Sequence, residues 1–305
     1  MKTVFVSIIN YNGTANTLEC LKSLNNQKTS FPLCVLVVDN GSKTPFSVNH
    51  NNFKNFRFKL ISNKDNLGFS GGHNTGIRFA LEHGADYVLL LNNDTLADSR
   101  LIEELVKVAE TDRKIGIIGP KIYFSKGYEF HKDRYTPSEL GKVIWYAGGV
   151  MDWDNVLGFH RGVDEVDKGQ YDRLEETQFV SGCCMLIKKE VFQKIGFLDE
   201  RYFLYYEDID YNERVRKGKY TIMYVPTALI WHKNAASAGG SGSNLQDYYI
   251  TRNRMLLGFT YAPFHAKTAL IRESLETLLT GRKWQRRGII DFYMRKFGKG
   301  SYRDE

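Results

Sequence analysis

Short apolar runs alternate with helical stripes over the first third of the chain. Val4–Tyr11 and Cys34–Asp39 have the length and composition of strands buried on both faces. Between them Leu18, Cys20, Leu21 and Leu24 recur at helical spacing, which predicts a helix over Thr14–Gln27. Phe56–Ser62 alternates like a third strand, and Tyr87–Leu91 is another buried strand. A glycine-rich loop is expected over Asn66–Gly76, leading into a helix to about His83, with a further helix over Ser99–Glu110. Such strand–helix alternation predicts a mainly parallel sheet with helices on both faces, whose ligands sit at the carboxyl ends of the strands. Asp39 ends one strand and Asp94 follows another, so two acids are expected at one crevice.

Residues 121–175 are polar, aromatic and weakly periodic, with Trp145–Met151 and Val156–Gly162 suggesting a hairpin or loops. Order resumes with a strand over Gln178–Ile187 and a helix over Lys188–Ile195. A helix opens at Glu207 and runs to Lys217, and a strand over Tyr220–Trp231 ends at His232. Ala235–Ser243 reads as a flexible linker. Beyond it Asp247–Phe259, Lys267–Thr280 and Trp284–Phe297 read as helices, the last strongly basic. The expected organisation is an α/β unit over residues 1–235, with halves meeting near residue 120, and a helical, basic extension over 236–305.

Composition changes this picture little. With 42% hydrophobic and 25% charged residues, the chain can bury a large core. The formal net charge of +7 points to an anionic partner: nucleic acid, a phosphate-bearing substrate or a membrane surface. No nucleic-acid-binding motif accompanies it, so no nucleic-acid partner is expected. Cys20, Cys34, Cys183 and Cys184 lack zinc-ligand spacing, and the adjacent pair cannot form an unstrained bridge; reduced thiols are expected. The N-terminal run turns polar too soon for a signal peptide, and no apolar run approaches the roughly 18 residues of a membrane span. The expectation is a cytoplasmic protein whose membrane contact, if any, is peripheral.

Five places carry candidate chemistry, each with a plainer alternative. Asp39 can accept a hydrogen bond from the N3–H of uracil or thymine, or bond its own turn. Asp94 can hold a divalent cation that bridges a diphosphate, or cap the next helix. The glycines of Asn66–Gly76 can let the backbone approach a ligand, or pack a helix tightly; the spacing fits neither a dinucleotide fingerprint nor a P-loop, and His73 reads as structural. Glu207, Asp208 and Asp210 each favour a helix start by about 0.3–1 kcal/mol. Two adjacent acids are costly if buried, however, and the resulting pKa shifts are how a general base is made; Asp208 is the candidate. His232 reads as a core histidine or a metal ligand.

In order, Asp39, Asn66–Gly76, Asn92-Asn93-Asp94, Gly182-Cys183-Cys184-Met185, Tyr205-Tyr206-Glu207-Asp208-Ile209-Asp210, Trp231-His232 and Tyr248–Asn253 resemble the family 2 glycosyltransferases of the GT-A fold. Within these the chain is most similar to the rhamnosyltransferase-like branch that builds bacterial surface polysaccharides, over residues 3–258. The resemblance implies a nucleoside-diphosphate sugar donor, dTDP or UDP, bound by Asn12, Asp39, Asn66, Gly68, Gly71, Gly72, Asn74, Asn93, Asp94 and Arg252. Asp39 would hold the nucleobase, and Arg252 would lie near the diphosphate or the acceptor. Asp94 matches the last acid of the DXD metal motif, while Asn92 stands where the first acid belongs. His232 matches a histidine that completes the site for Mn or Mg.

The same resemblance makes Asp208 the base of an inverting transfer. Trp153, Tyr205, Tyr206 and Glu207 are expected on the side of a glycan or lipid-linked glycan acceptor. The basic C-terminal helices would dock on an anionic leaflet, or else form a solvated cap or a homo-oligomer interface. The expected reaction moves rhamnose from dTDP-rhamnose. The alternatives are a UDP-sugar enzyme (galactofuranosyl, glucosyl or N-acetylhexosaminyl) and a degenerate module that binds nucleotide or glycan without turnover. Asn92 speaks for that module; Glu207, Asp208 and His232 speak against it.

Overall fold

The computed structural model describes residues 2–233 and 242–303. The first half contributes β1 (Val4–Asn10), α1 (Thr14–Leu24), β2 (Leu33–Asn40), β3 (Arg57–Asn63), α2 (Gly68–Glu82), β4 (Tyr87–Leu91), β5 (Thr95–Ala97) and α3 (Leu101–Ala109). The middle adds β6 (Ile115–Phe124), β7 (Ile144–Tyr146), the hairpin β8 (Gly149–Asp152) and β9 (Leu157–His160), β10 (Glu175–Glu176), β11 (Cys184–Lys188), α4 (Lys189–Ile195), α5 (Glu207–Lys217) and β12 (Thr221–His232). Three helices close the chain: α6 (Asn244–Tyr261), α7 (Phe264–Thr280) and α8 (Lys283–Tyr293).

One mixed sheet organises these elements in the order β10-β12-β6-β11-β4-β1-β2-β3, with β5 on β12 and β7 on β6. Strands β1 to β4 are parallel, as expected from the alternation, and β11 enters antiparallel between β4 and β6. Both faces of the sheet are buried. Val6, Ile8, Val37 and Leu89 pack on α1 and α3 through Leu21 and Leu105. Phe5, Leu36, Val88 and Leu90 pack on the other side with Ile77 and Ala80 of α2 and Val215 of α5. That is the period-2 division of side chains a strand imposes.

Three expectations need correction. Residues 121–124, read as the start of an irregular segment, complete β6, a ten-residue central strand. Gly116, Gly119 and Pro120 interrupt its apolar pattern. The strand tolerates Pro120 because its register with β12 jumps from Val225 to Leu229 beside it, a bulge where an N–H can be missing. The glycine-rich segment is not a loop: α2 already begins at Gly68. The strand expected from Gln178 is ordered only from Cys184.

The C-terminal helices are not an independent unit. Met255, Leu256 and Leu257 of α6, Leu270 of α7 and Ile289 of α8 share one core with Met151, Val156 and Tyr202. Each such side chain, once buried, contributes about 1.5–3 kcal/mol. The linker expected over Ala235–Ser243 falls largely outside the described residues. Among the described residues, no helix is long and apolar enough to cross a membrane.

Candidate active site

The site is built where β4 and β12 end. After β4 the chain turns through Asn92-Asn93-Asp94 into β5, and β5 pairs antiparallel with β12 so that His232 lies opposite Thr95. This register, not proximity in sequence, brings His232 Nε2 to 3.3 Å from Asp94 Oδ1. Both residues are buried, and Lys233 N–H donates to the Asp94 carbonyl. Burial works to raise the Asp94 pKa, but His232 and Lys233 overcome it and hold the carboxyl below its ordinary range. Trp145 closes the far side, its ring edge-on to His232 at 4.7 Å and to His160 at 4.4 Å.

Asp94 Oδ1 and His232 Nδ1 have no hydrogen-bond partner among the described residues. A buried carboxylate oxygen without a donor is costly unless something cationic meets it. Two cis ligands of an octahedral cation at about 2.1 Å lie about 3 Å apart, so the observed pair fits one Mg or Mn ion. No cluster of three acids, histidines or cysteines occurs among the described residues. With Asn92 in place of an acid, Asp94 and His232 are the two side chains that could hold a cation, which would take its remaining ligands from phosphate and water.

Asp208 stands in the first turn of α5. Its Oδ2 accepts from Gly182 N–H at 2.9 Å and its Oδ1 from Ile209 N–H at 2.8 Å. Gly182 precedes β11, and the Cys183 carbonyl accepts from Asn92 N–H, which ties this turn to the one carrying Asp94. A Cβ on Gly182 would lie 3.0 Å from the Phe69 ring and 3.4 Å from Asp208 Cβ, so the close approach needs glycine. Burial raises the Asp208 pKa despite the two backbone hydrogen bonds. Glu207 is only 5% exposed, its Oε2 has no partner among the described residues, and burial beside Asp208 pushes its pKa well up. Glu207 is thus buried, and not open to an acceptor as expected from sequence.

The segment leading to Asp208 is strained. Phe203, Tyr205 and Tyr206 have φ of 64°, 69° and 71°, values that cost non-glycine residues roughly 1–3 kcal/mol each. Asn253 of α6 donates to the carbonyls of Tyr202, Leu204 and Tyr205 at 2.7–2.9 Å. Arg252, fully buried, donates to the carbonyls of Tyr202, Arg201 and Gly298 at 3.0, 3.1 and 2.7 Å. The expectation that Arg252 lies near the diphosphate or the acceptor is therefore corrected: its guanidinium is committed to backbone oxygens of the segment leading to Asp208 and of the tail.

The turn expected to hold the nucleobase lies at the ends of β1 and β2. Asp39 is buried and accepts from Asn10 Nδ2 and Phe46 N–H at 3.0 Å and from Ser42 Oγ at 2.5 Å. The turn alternative is thus realised, yet Oδ2 has one protein donor and keeps acceptor capacity. Asn12 holds the same turn by accepting from Lys43 N–H at 2.8 Å. Asn66 accepts from Asn40 Nδ2 and Gly68 N–H, and Asn93 donates to Thr17 Oγ1.

A pocket of about 210 Å³ opens between these turns, lined by Tyr11, Asn40, Asn66, Gly68, Asn92 and Asn93 among others. Gly68 has φ +73°, and a Cβ there would strike the Phe203 carbonyl at 2.3 Å. Of the predicted donor residues, Asn66, Gly68 and Asn93 line this pocket, and Asn12, Asp39, Gly71, Gly72, Asn74, Asp94 and Arg252 do not. Gly71 and Gly72 pack against Leu67 and Ile9, and Asn74 clamps Leu198 and Glu200. His73, read as structural, also lines the pocket; burial lowers its pKa to about 3 and Ser7 Oγ meets its Nδ1 at 3.0 Å.

Sequence reasoning missed the pocket's roof. Leu245, Tyr249, Lys299 and Tyr302 line it from the C-terminal helices and tail. Only the fold-back of the tail, fixed by Arg252 on Gly298 and Tyr249 on the Lys299 carbonyl, brings them there. On the acceptor side Trp153 is half-buried and packs 5.9 Å from Tyr261, and Tyr205 and Tyr206 are half-buried beside α6.

This architecture has known counterparts. GalNAc-T7 with UDP, GalNAc and Mn2+ superposes with a TM-score of 0.58 at 14% identity, over 96% of this chain and 57% of that one, and shares the GT-A fold. By sequence the chain is 30% identical over 226 residues, 69% of its length and 70% of the relative's, to the N-acetylglucosaminyl-diphospho-decaprenol L-rhamnosyltransferase of Mycobacterium tuberculosis. It is 24% identical over 261 residues, 83% of its length and 79% of the relative's, to the dTDP-rhamnosyl transferase RfbF of Shigella flexneri. Residues 5–196 match the pattern of glycosyl transferase family 2, and the chain is a glycosyltransferase belonging to that family.

Proposed function

We propose that the protein transfers rhamnose from dTDP-rhamnose, with inversion, to a glycan or lipid-linked glycan acceptor in the synthesis of a bacterial surface polysaccharide. The observation that carries the reading is the buried Asp94–His232 pair, whose turn is tied to the one holding Asp208 by Asn92 N–H on the Cys183 carbonyl and Gly182 N–H on Asp208, and which follows directly on Asn92 and Asn93 of the pocket lining. Two relatives named as rhamnosyltransferases support the choice of sugar. Asp39 can accept the N3–H of thymine or uracil alike, so a UDP-sugar is the competing donor.

Asp94 and His232 would hold a Mn or Mg ion, which when bound offsets the charge that develops on the departing diphosphate. Asp208 accepts the proton of the acceptor hydroxyl. The hydroxyl oxygen bonds to the anomeric carbon as the bond from that carbon to the diphosphate oxygen breaks, and its electron pair leaves with the diphosphate. Attack from the face opposite the leaving group inverts the centre and needs no covalent enzyme intermediate. Burial beside Asp208 pushes the Glu207 pKa well up, which disfavours a second charge there. The reaction takes place at the inner face of the cytoplasmic membrane when the acceptor is lipid-linked.

The test incubates the protein with dTDP-rhamnose, UDP-galactofuranose, UDP-glucose and UDP-N-acetylglucosamine in turn, with Mn2+ and a polyprenyl-diphosphate-linked N-acetylglucosamine. NMR then reads the anomeric configuration of any product. A product from dTDP-rhamnose with inverted configuration is expected. A retained configuration, or transfer only from a UDP-sugar, contradicts the proposal.

A further inference from the structure

We propose that the outward face of α7 and α8 is a docking surface for an anionic phospholipid bilayer. The observation is an unusual division of α7. Its inward side is formed by Ala266, Leu270 and Ser274, a modest set. Its outward side carries Phe264, Ile271, Leu275 and Leu279, spaced by seven, four and four residues and therefore aligned on one stripe. Phe264 and Leu279 are each 82% exposed and Leu275 is 56% exposed. A helix that packs on a core normally turns such residues inward; here the apolar stripe faces water.

Charge decides what covers it. By helical position Lys267 and Arg272 border the stripe. On α8 the exposed residues include Lys283, Arg286, Ile290 and Tyr293, followed by Met294 at 64% exposure. A groove of about 450 Å³ joins the two helices, lined by Leu278, Trp284 and Ile290 together with Lys283, Arg286 and Arg287. Of the acids on α7, Glu273 is paired with Arg254 and Glu276 lies beyond Arg272. Apolar side chains flanked by cations are the pattern of a helix lying in the interface of an anionic membrane. A second copy would set the same cations against one another, which disfavours it. The face also borders the proposed acceptor side, since His265 at the start of α7 meets Asp154 at 2.8 Å, next to Trp153. The inference deepens the proposed function, in that a lipid-linked acceptor would be met at this surface.

Vesicle flotation tests it, using phosphatidylcholine alone and phosphatidylcholine mixed with phosphatidylglycerol. The wild type should float with the mixed vesicles, not with the neutral ones, and release as salt rises. Leu275→Ser with Leu279→Ser, and separately Lys283→Glu with Arg286→Glu, should each lower the partition coefficient at least about fivefold. Both variants should keep the melting temperature and nucleotide affinity of the wild type. Equal flotation with both vesicle types, or unchanged flotation of both variants, overturns the proposal. A dimer in analytical ultracentrifugation that the leucine variant converts to monomer also overturns it, because a second copy then covers the face. Loss of nucleotide binding in the wild type would count against the donor site and leave the vesicle result standing.

Discussion

Asp208→Asn removes the base while keeping the shape of the side chain. The substituted amide retains one carbonyl oxygen for either Gly182 N–H or Ile209 N–H and turns its NH₂ toward the other, so one charge-assisted hydrogen bond of about 1.5–3 kcal/mol is lost. Against that, burial already outweighs both hydrogen bonds in setting the Asp208 pKa. A raised folded-state pKa means that the ionised carboxylate is a net cost to the fold above that pKa. A neutral amide relieves this cost, so the two effects largely cancel, to within about 1 kcal/mol. For a chain of this size each 1 kcal/mol left over changes the melting temperature by about 1–2 °C. Catalysis responds differently: loss of a positioned base costs about 10²–10⁴ in kcat, or about 3–5 kcal/mol of activation free energy.

The assay measures kcat and KM for donor and acceptor against pH, with nucleotide affinity measured separately. In the wild type, log kcat/KM should rise with pH through a value above the ordinary aspartate range, because burial raises that pKa. The variant should lose this limb and keep its nucleotide affinity. An Asp208→Asn protein that retains most of its kcat, or keeps the same limb, would refute the assignment.

Two further outcomes follow from the same geometry. Glu207→Gln should raise the melting temperature at alkaline pH and leave it unchanged at acidic pH, because the raised pKa of Glu207 makes stability fall as pH climbs through it; a difference that does not depend on pH in thermal melts counts against a buried neutral acid. Arg252→Met should cost about 3 kcal/mol or more, since it strands the carbonyls of Tyr202, Arg201 and Gly298. Chemical denaturation reads that cost. Arg252→Lys should restore only part of it, because an ammonium lacks the planar fork; full stability in Arg252→Met contradicts the positioning role.

Much of the donor half was legible because its signals are local. Buried apolar runs marked β1, β2 and β4, and the acids that end them follow directly from where a parallel sheet binds ligands. What was not legible depends on register and burial. Nothing near His232 says that β5 will pair with β12 and set its imidazole against Asp94. The central strand β6 was hidden because Gly116, Gly119 and Pro120 break its pattern, and a bulge in the partner strand makes them acceptable. Glu207 and Asp208 look equivalent in sequence; the structure separates them by the two backbone donors that meet Asp208 and by Glu207 Oε2, which has no partner among the described residues. Arg252 reads as a ligand-binding cation until its donors are seen to end on carbonyls. Lys299 and Tyr302 carry no motif at all, and the fold-back of the tail alone brings them to the pocket.

The most direct test of the central claim is calorimetric titration of dTDP and UDP into wild type and Asp94→Asn, each with Mn2+ and with a chelator. The wild type should bind one or both nucleotides at least roughly tenfold more tightly with Mn2+ than without, and Asp94→Asn should abolish the difference. Equal wild-type affinity with and without the metal, or an undiminished metal effect in Asp94→Asn, would contradict it.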